Sequence, residues 1–219
     1  MRHRFKAIVF DFDYTLADSS NGVVECIDFA LRAMGLQPVP GEVACRTIGL
    51  SLPDTFAALV GQEYVGRADE FVHLFVQRAD EVMADLTVLF EPVPETIEGL
   101  RGRGVPLGIV STKFRYRIET ILRRENLFDA FDVIIGGEDV SAHKPNPVAL
   151  LAAVERLGST PTSTVYVGDS VTDAETAKRA GVPFVAILSG TTTEAAFRDY
   201  PTCRVLRGLS ELLTLEDCR

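Results

Sequence analysis

Short apolar runs alternate along this chain with longer stretches in which apolar residues return every three or four positions. Residues 6–10 (KAIVF) form the first run, and 105–110 (VPLGIV), 132–136 (DVIIG), 164–168 (TVYVG) and 182–188 (VPFVAIL) resemble it. Runs of this length without polar alternation predict strands buried on both faces. Residues 94–102, 115–124, 146–157 and 172–180 carry the three- and four-residue steps and predict helices. Gly104, Gly158 and Gly181 fall where those helices should stop. Strand and helix therefore take turns, which predicts an α/β fold: a doubly wound parallel sheet with helices on both faces.

Residues 18–87 break that alternation and offer no convincing strand. NGVVECIDFALRAMG has apolar positions at Val23, Val24, Ile27, Ala30, Leu31 and Met34, a helical stripe that ends at Gly35. EFVHLFVQRADEVMADL gives a second stripe through Phe71, Leu74, Phe75, Val82 and Leu86. The pattern predicts an all-α block, 18–87, inserted into an α/β core made of 1–17 and 88–219, with 89–95 as the return linker. No internal repeat or low-complexity tract interrupts it.

A chain of 219 residues has room for one ordinary domain and a small second one. The formal charge of −9, from 31 acidic and 22 basic residues, repels nucleic acid and anionic membranes. No apolar stretch approaches the ~20 residues that span a bilayer. The basic start MRHRFKAIVFD meets Asp11 too soon for a signal peptide. Cys26, Cys45, Cys203 and Cys218 form no C-x-x-C pair, which favours free thiols in a reducing compartment, the cytoplasm. Nothing in the sequence marks an obligate protein partner. GLRGRG (99–104) follows a helix and precedes a strand, the reverse of a dinucleotide fingerprint, so it reads as a helix stop.

In an open parallel sheet, ligands bind beyond the carboxyl ends of the strands. Asp11 and Asp13 follow the first run; Ser111, Thr112 and Lys113 follow the second. Asp169 and Ser170 follow the fourth, with Asp173 close behind, and Lys144 lies in the loop SAHKPNP. If these ends converge, four carboxylates face one or two lysines, and they stay ionised together only around a dication. The donors are all oxygen, which selects magnesium over zinc or copper. Acids, a lysine and a hydroxyl around magnesium suit phosphoryl transfer. Taken singly, each residue has a plainer reading: a turn for Asp11 and Asp13, a helix cap for Ser111 and Thr112, a solvated surface for Lys144. Ser111 is expected both to cap the next helix and to face a phosphate. His3, His73 and His143 are isolated; His73 reads as structural. Lys113, Arg115 and Arg117 form either a solvated helix face or a clamp for a second anionic group.

The same residues resemble the haloacid dehalogenase superfamily, and within it the phosphoglycolate phosphatase-like hydrolases with an α-helical cap. DFDYTL (11–16), VST (110–112), Lys144 in KPNP and GDSVTD (168–173) match its four motifs in order. The resemblance implies that Asp11 is a nucleophile forming a phospho-aspartate. Asp13 is the general acid and then base; Ser111 and Lys144 hold the transferring phosphoryl. It implies Mg2+ on the Asp11 carboxylate, the Asp13 backbone carbonyl and Asp169, supported by Asp173. The block 18–87 takes the place of the cap, and Arg46, Gly49, Thr112 and Lys113 are candidate substrate contacts.

Asp13 favours phosphate esters over carbon–halogen bonds, since an alkoxide needs a proton on leaving and a halide does not. CRTIGLSLPDTF (45–56) resembles the specificity segment of the phosphoglycolate phosphatase-like members. Leu52 stands where β-phosphoglucomutase-like enzymes carry an arginine, which weakens a mutase reading, although Arg46 lies near enough to substitute. Inorganic pyrophosphatase activity is a further alternative. A phospho-aspartate receiver is the remote non-enzyme one, disfavoured by the helical insertion. Tyr14 stands where many relatives have glycine. Tyrosine disfavours positive φ, so the expectation is an ordinary backbone there and a ring packed under the cap.

Overall fold

The computed structural model describes residues 5–215. Cys218, His3 and the basic start of the chain lie outside the described residues. Six parallel strands form the sheet: β1 (Ala7–Phe10), β4 (Leu107–Val110), β5 (Val133–Ile135), β6 (Thr164–Gly168), β7 (Phe184–Ile187) and β8 (Thr202–Leu206). Two more strands, β2 (Ala17–Asp18) and β3 (Val88–Leu89), pair apart from it. The large sheet runs β5-β4-β1-β6-β7-β8, so the order reverses at β1. That doubly wound order opens a crevice at the carboxyl ends of β1 and its neighbours. β1 is central and wholly buried because each face meets a helical layer. Phe10 and Ile8 pack with α5 (Val93–Gly102) and α6 (Arg115–Arg124) on one side. Val9 packs with α7 (Val148–Arg156) and α8 (Val171–Ala180) on the other.

The edge strand β8 is absent from the apolar-run reading. Its segment TCRVL is half-exposed and carries Arg204, so it never presents a continuous apolar run. Between the core and the helical block, β2 and β3 form an antiparallel ribbon, with Ala17 opposite Leu89 and Asp18 opposite Val88. The return linker thus begins as a strand, and the chain leaves and re-enters the core through one two-stranded hinge.

The inserted block holds α1 (Ser20–Ala33), α2 (Gly41–Cys45), α3 (Leu52–Val60) and α4 (Ala68–Val82). They close on a core of their own, in which Phe56 and Phe71 stack at 4.8 Å. Gly22 lets α1 approach the end of α4, since a Cβ there would lie 2.7 Å from Met83 Sδ. Leu86 falls beyond α4 and is exposed, so the second stripe ends earlier than its pattern suggests. Among the described residues no helix is long and apolar enough to cross a membrane.

Candidate active site

The acids stand where the chain leaves the sheet. Asp11 extends β1 by one ladder bond, its N–H donating to Val167 O at 2.9 Å. Asp169 follows the last residue of β6. Asp173 sits in the first turn of α8, where Ser170 and Asp173 cap each other's backbone in a capping box. One carboxylate oxygen from each of Asp11, Asp169 and Asp173 lies within 4.8 Å of the other two. Close packing demands glycine at two positions. A Cβ on Gly190 would lie 1.9 Å from Asp169 Oδ2, and one on Gly168 would lie 2.6 Å from Asp173 Cγ.

Lys144 Nζ reaches into this group, 2.9 Å from Asp11 Oδ1 and 2.6 Å from Asp173 Oδ1. Burial opposes its charge, but attraction to Asp11 and Asp173 outweighs burial and raises its pKa. One lysine does not settle three acids. Burial, with repulsion from Asp173 and Asp13, pushes Asp11 up to about 7 despite Lys144. Burial, with repulsion from Asp173 and Asp11, raises Asp169 well above the carboxylate range. Asp11 Oδ1, though near Lys144, has no hydrogen-bond partner. An orphaned buried oxygen in an all-oxygen cluster of excess negative charge fits Mg2+, so the residues present suit that ion.

Tyr166 lies inside β6 and not at its end, so the strand-end rule does not point to it. Its hydroxyl donates to Asp173 Oδ1 at 2.9 Å and lies 3.2 Å from Val110 O and 3.4 Å from Lys144 Nζ. It fixes the oxygen of Asp173 that meets Lys144. Tyr166→Phe removes only that hydroxyl and should cost about 1–2 kcal/mol of stability. It should also lower kcat roughly tenfold through a misplaced Lys144. Thermal melts and initial rates check both, and wild-type values for each would refute the assignment.

The profile of the haloacid dehalogenase-like hydrolases matches residues 8–187, which spans β1 to the end of β7. The chain belongs to that family. Phosphoglycolate phosphatases from Escherichia coli K12 and Shigella boydii are 34% and 35% identical to it, each over 84% of this chain and 82% of the relative. A haloacid dehalogenase-like hydrolase from Bacteroides fragilis superposes with a TM-score of 0.92 at 41% identity, covering 95% of this chain and 99% of that one. Within the family this member is a phosphatase, a phosphoric monoester hydrolase.

The phosphatase departs from its sequence pattern at Tyr14, which has φ of 59° and not the ordinary backbone expected of tyrosine. Phe12 O accepts N–H bonds from Thr15, Leu16 and Ala17, and Tyr14 N donates to Ala17 O at 2.7 Å. Ser189 Oγ donates to Tyr14 O from the far side. These bonds close the turn so tightly that the left-handed conformation, costing about 1–3 kcal/mol, is imposed on a non-glycine residue. The ring packs beneath the cap; burial and a hydrogen bond with Cys45 of α2 raise its hydroxyl pKa. Ser189 and Gly190 obey the strand-end rule, following the fifth apolar run, yet the chemistry-bearing residue types there are small and easy to pass over.

Ser111 does not cap the next helix. It accepts from Lys113 N at 3.3 Å, whereas α6 starts only at Arg115, whose N–H donates to Glu138 Oε2 at 2.8 Å. Thr112 Oγ1 donates to Gly49 O of the cap at 3.4 Å. Gly49, with φ of 96°, lines the cleft between cap and core together with Asp13, Thr112 and Lys113. Lys113 Nζ lies 3.0 Å from Asp13 Oδ1. Arg46 follows the end of α2, is exposed, and is not among the residues that line this cleft. Arg117 belongs neither to a solvated face nor to an open clamp. It is buried, donates to Asp80 Oδ1 at 2.6 Å and Val76 O at 3.1 Å on α4, and so ties the cap to α6. Arg115 pairs with Asp139 and Glu119. His73 and His143 are exposed.

Proposed function

We propose that this phosphatase hydrolyses a short phosphorylated metabolite of the phosphoglycolate class, with Mg2+ bound and through a phospho-aspartate on Asp11. The observation that carries the reading is the neighbourhood of Asp11: a carboxylate at a strand end, held by Lys144, within 4.8 Å of two further acids. Asp11 attacks phosphorus while Asp13 passes a proton to the departing alkoxide. Asp13 then takes a proton from water as the water attacks the phospho-aspartate, which releases phosphate and restores Asp11. Lys144 and the Ser111 hydroxyl balance charge on the transferring phosphoryl. Mg2+, held by Asp11, Asp169 and the Asp13 carbonyl with Asp173 in support, supplies further charge neutralisation when bound.

The cleft beside Asp13 supports a small leaving group. It has a volume of about 60 Å3, and Asp13 lines it whereas Asp11 and Lys144 do not. Leu52 is part of the wall and Arg46 is not, which disfavours the mutase alternative. Walls of Val23, Ile48, Leu50 and Phe114 suit carbon better than a second phosphate, against the pyrophosphatase alternative.

The test is hydrolysis of p-nitrophenyl phosphate and a panel of phosphoglycolate, hexose phosphates, nucleotides and pyrophosphate. Chelation should lower every rate at least about 100-fold, and Mg2+ should restore it. Activity indifferent to chelator contradicts the metal site. A panel led by hexose phosphates contradicts the substrate class.

A further inference from the structure

We propose that Lys113 is the specificity-determining residue: its ammonium reads a carboxylate carried on the alcohol part of the ester, one or two carbons from the ester oxygen. This rests on the phosphatase reading above and adds to it the group that recognises the substrate.

The ammonium has donors to spare. Its side chain is 4% exposed, and among the described residues its ionic partner is Asp13 at 3.0 Å. That contact lacks hydrogen-bond geometry, since Asp13 Oδ1 is buried without a hydrogen-bond partner. An ammonium with three N–H groups in such a place is incompletely satisfied until an acceptor enters the cleft.

Other donors on the wall are already committed. Arg117 gives its hydrogen bonds to Asp80 and Val76 O. Thr47 donates to Ala44 O, Thr55 to Thr47 O and Thr112 to Gly49 O. Lys113 is thus the cation left to meet a ligand, and the rest of the cleft is largely apolar. A single negative charge matches it. A carboxymethyl group is short and carries one carboxylate, which matches one ammonium on an otherwise largely apolar wall. A neutral alkyl group leaves the ammonium unanswered, and a second phosphate brings more charge than one ammonium balances.

Exchange of partners couples recognition to chemistry. When Lys113 turns from Asp13 to the substrate carboxylate, Asp13 Oδ1 is released to face the ester oxygen. A substrate without the carboxylate leaves Lys113 on Asp13 and the acid engaged.

The test compares kcat/KM for phosphoglycolate and for its neutral amide, carbamoylmethyl phosphate, in wild type and in Lys113→Met, with Mg2+ present. Wild type should prefer the carboxylate by about 30-fold or more, and the variant by less than about 3-fold. A wild type that treats the two esters alike overturns the proposal, as does a variant that keeps the preference. Wild type inactive on both esters and on p-nitrophenyl phosphate would count against the phosphatase reading instead. If Lys113→Met does not fold, Lys113→Gln serves with the same expected loss of preference. Wild type alone gives a further check: glycolate should inhibit at concentrations at least about tenfold lower than ethylene glycol. Equal inhibition by the two would overturn the assignment.

Discussion

Asp11→Asn is expected to lower kcat by about 10^4-fold or more while leaving the protein folded. An amide nitrogen or oxygen in place of the carboxylate keeps the shape of the side chain but forms no acyl phosphate. The fold should tolerate the change because Asp11 is not a stabilising charge in the metal-free protein. Burial and its acidic neighbours push its pKa up to about 7. A carboxyl raised in the folded state binds its proton more tightly there than in the unfolded chain. Stability therefore falls as pH rises from about 4 to about 7, and the neutral asparagine removes the share of that slope due to Asp11 while Asp169 keeps its own. Thermal melts in chelator across this window, beside initial rates with Mg2+, measure both effects. A variant within tenfold of wild-type kcat would remove Asp11 from the nucleophile's role. A variant that melts with the wild-type pH slope would show that Asp11 is not the acid being strained.

What could be read from the chain, and what could not, follows from the range of each interaction. Buried parallel strands see apolar surroundings on both faces, so β1, β4, β5, β6 and β7 announce themselves as continuous runs. Their ends then locate Asp11, Ser111 and Asp169 without knowledge of the fold. The edge strand β8 has one neighbour and a wet side, and its pattern dissolves into mixed residues. The hinge strands hold two residues each, too few for any period. Tyr14 departs from its intrinsic preference because that preference is set against bonds involving Phe12, Ala17 and Ser189, of which Ser189 lies 175 positions away. Arg117 looks like a surface residue until Asp80, 37 positions earlier, arrives from the cap. In each case the local sequence carried a preference and a distant partner overruled it. Tyr166 differs: its body obeys the strand pattern, and only the hydroxyl, aimed between Lys144 and Asp173, shows that the position does more than fill the core.

Lys144→Met should produce the largest loss of stability in the catalytic crevice, and Mg2+ should recover part of it. Methionine matches the length and volume of the lysine stem, so packing is nearly conserved and the change is one of charge. Removing the ammonium leaves Asp11 and Asp173 without the cation now 2.9 and 2.6 Å away, with Asp169 still beside them. Breaking a buried pair in this way costs about 3–5 kcal/mol. For a chain of this size that corresponds to roughly 6–20 °C in Tm. Part of the cost is avoidable, since the acids already favour protonation and will take up protons as the lysine goes. The deficit should therefore shrink toward acid pH and grow from about pH 5 to 8 in chelator. Adding Asp11→Asn to Lys144→Met removes one of the stranded charges, so the double variant should be more stable than Lys144→Met alone, a departure from additivity of about 1 kcal/mol or more. Mg2+ should raise the Tm of Lys144→Met by more than it raises that of wild type, because the ion supplies charge that the lysine no longer gives. Turnover should nonetheless stay at least about 100-fold low, since the ion does not restore the donor to the transferring phosphoryl. Additive substitutions, or an equal Mg2+ shift in both proteins, would mean that Lys144 and the acids do not share one charge balance.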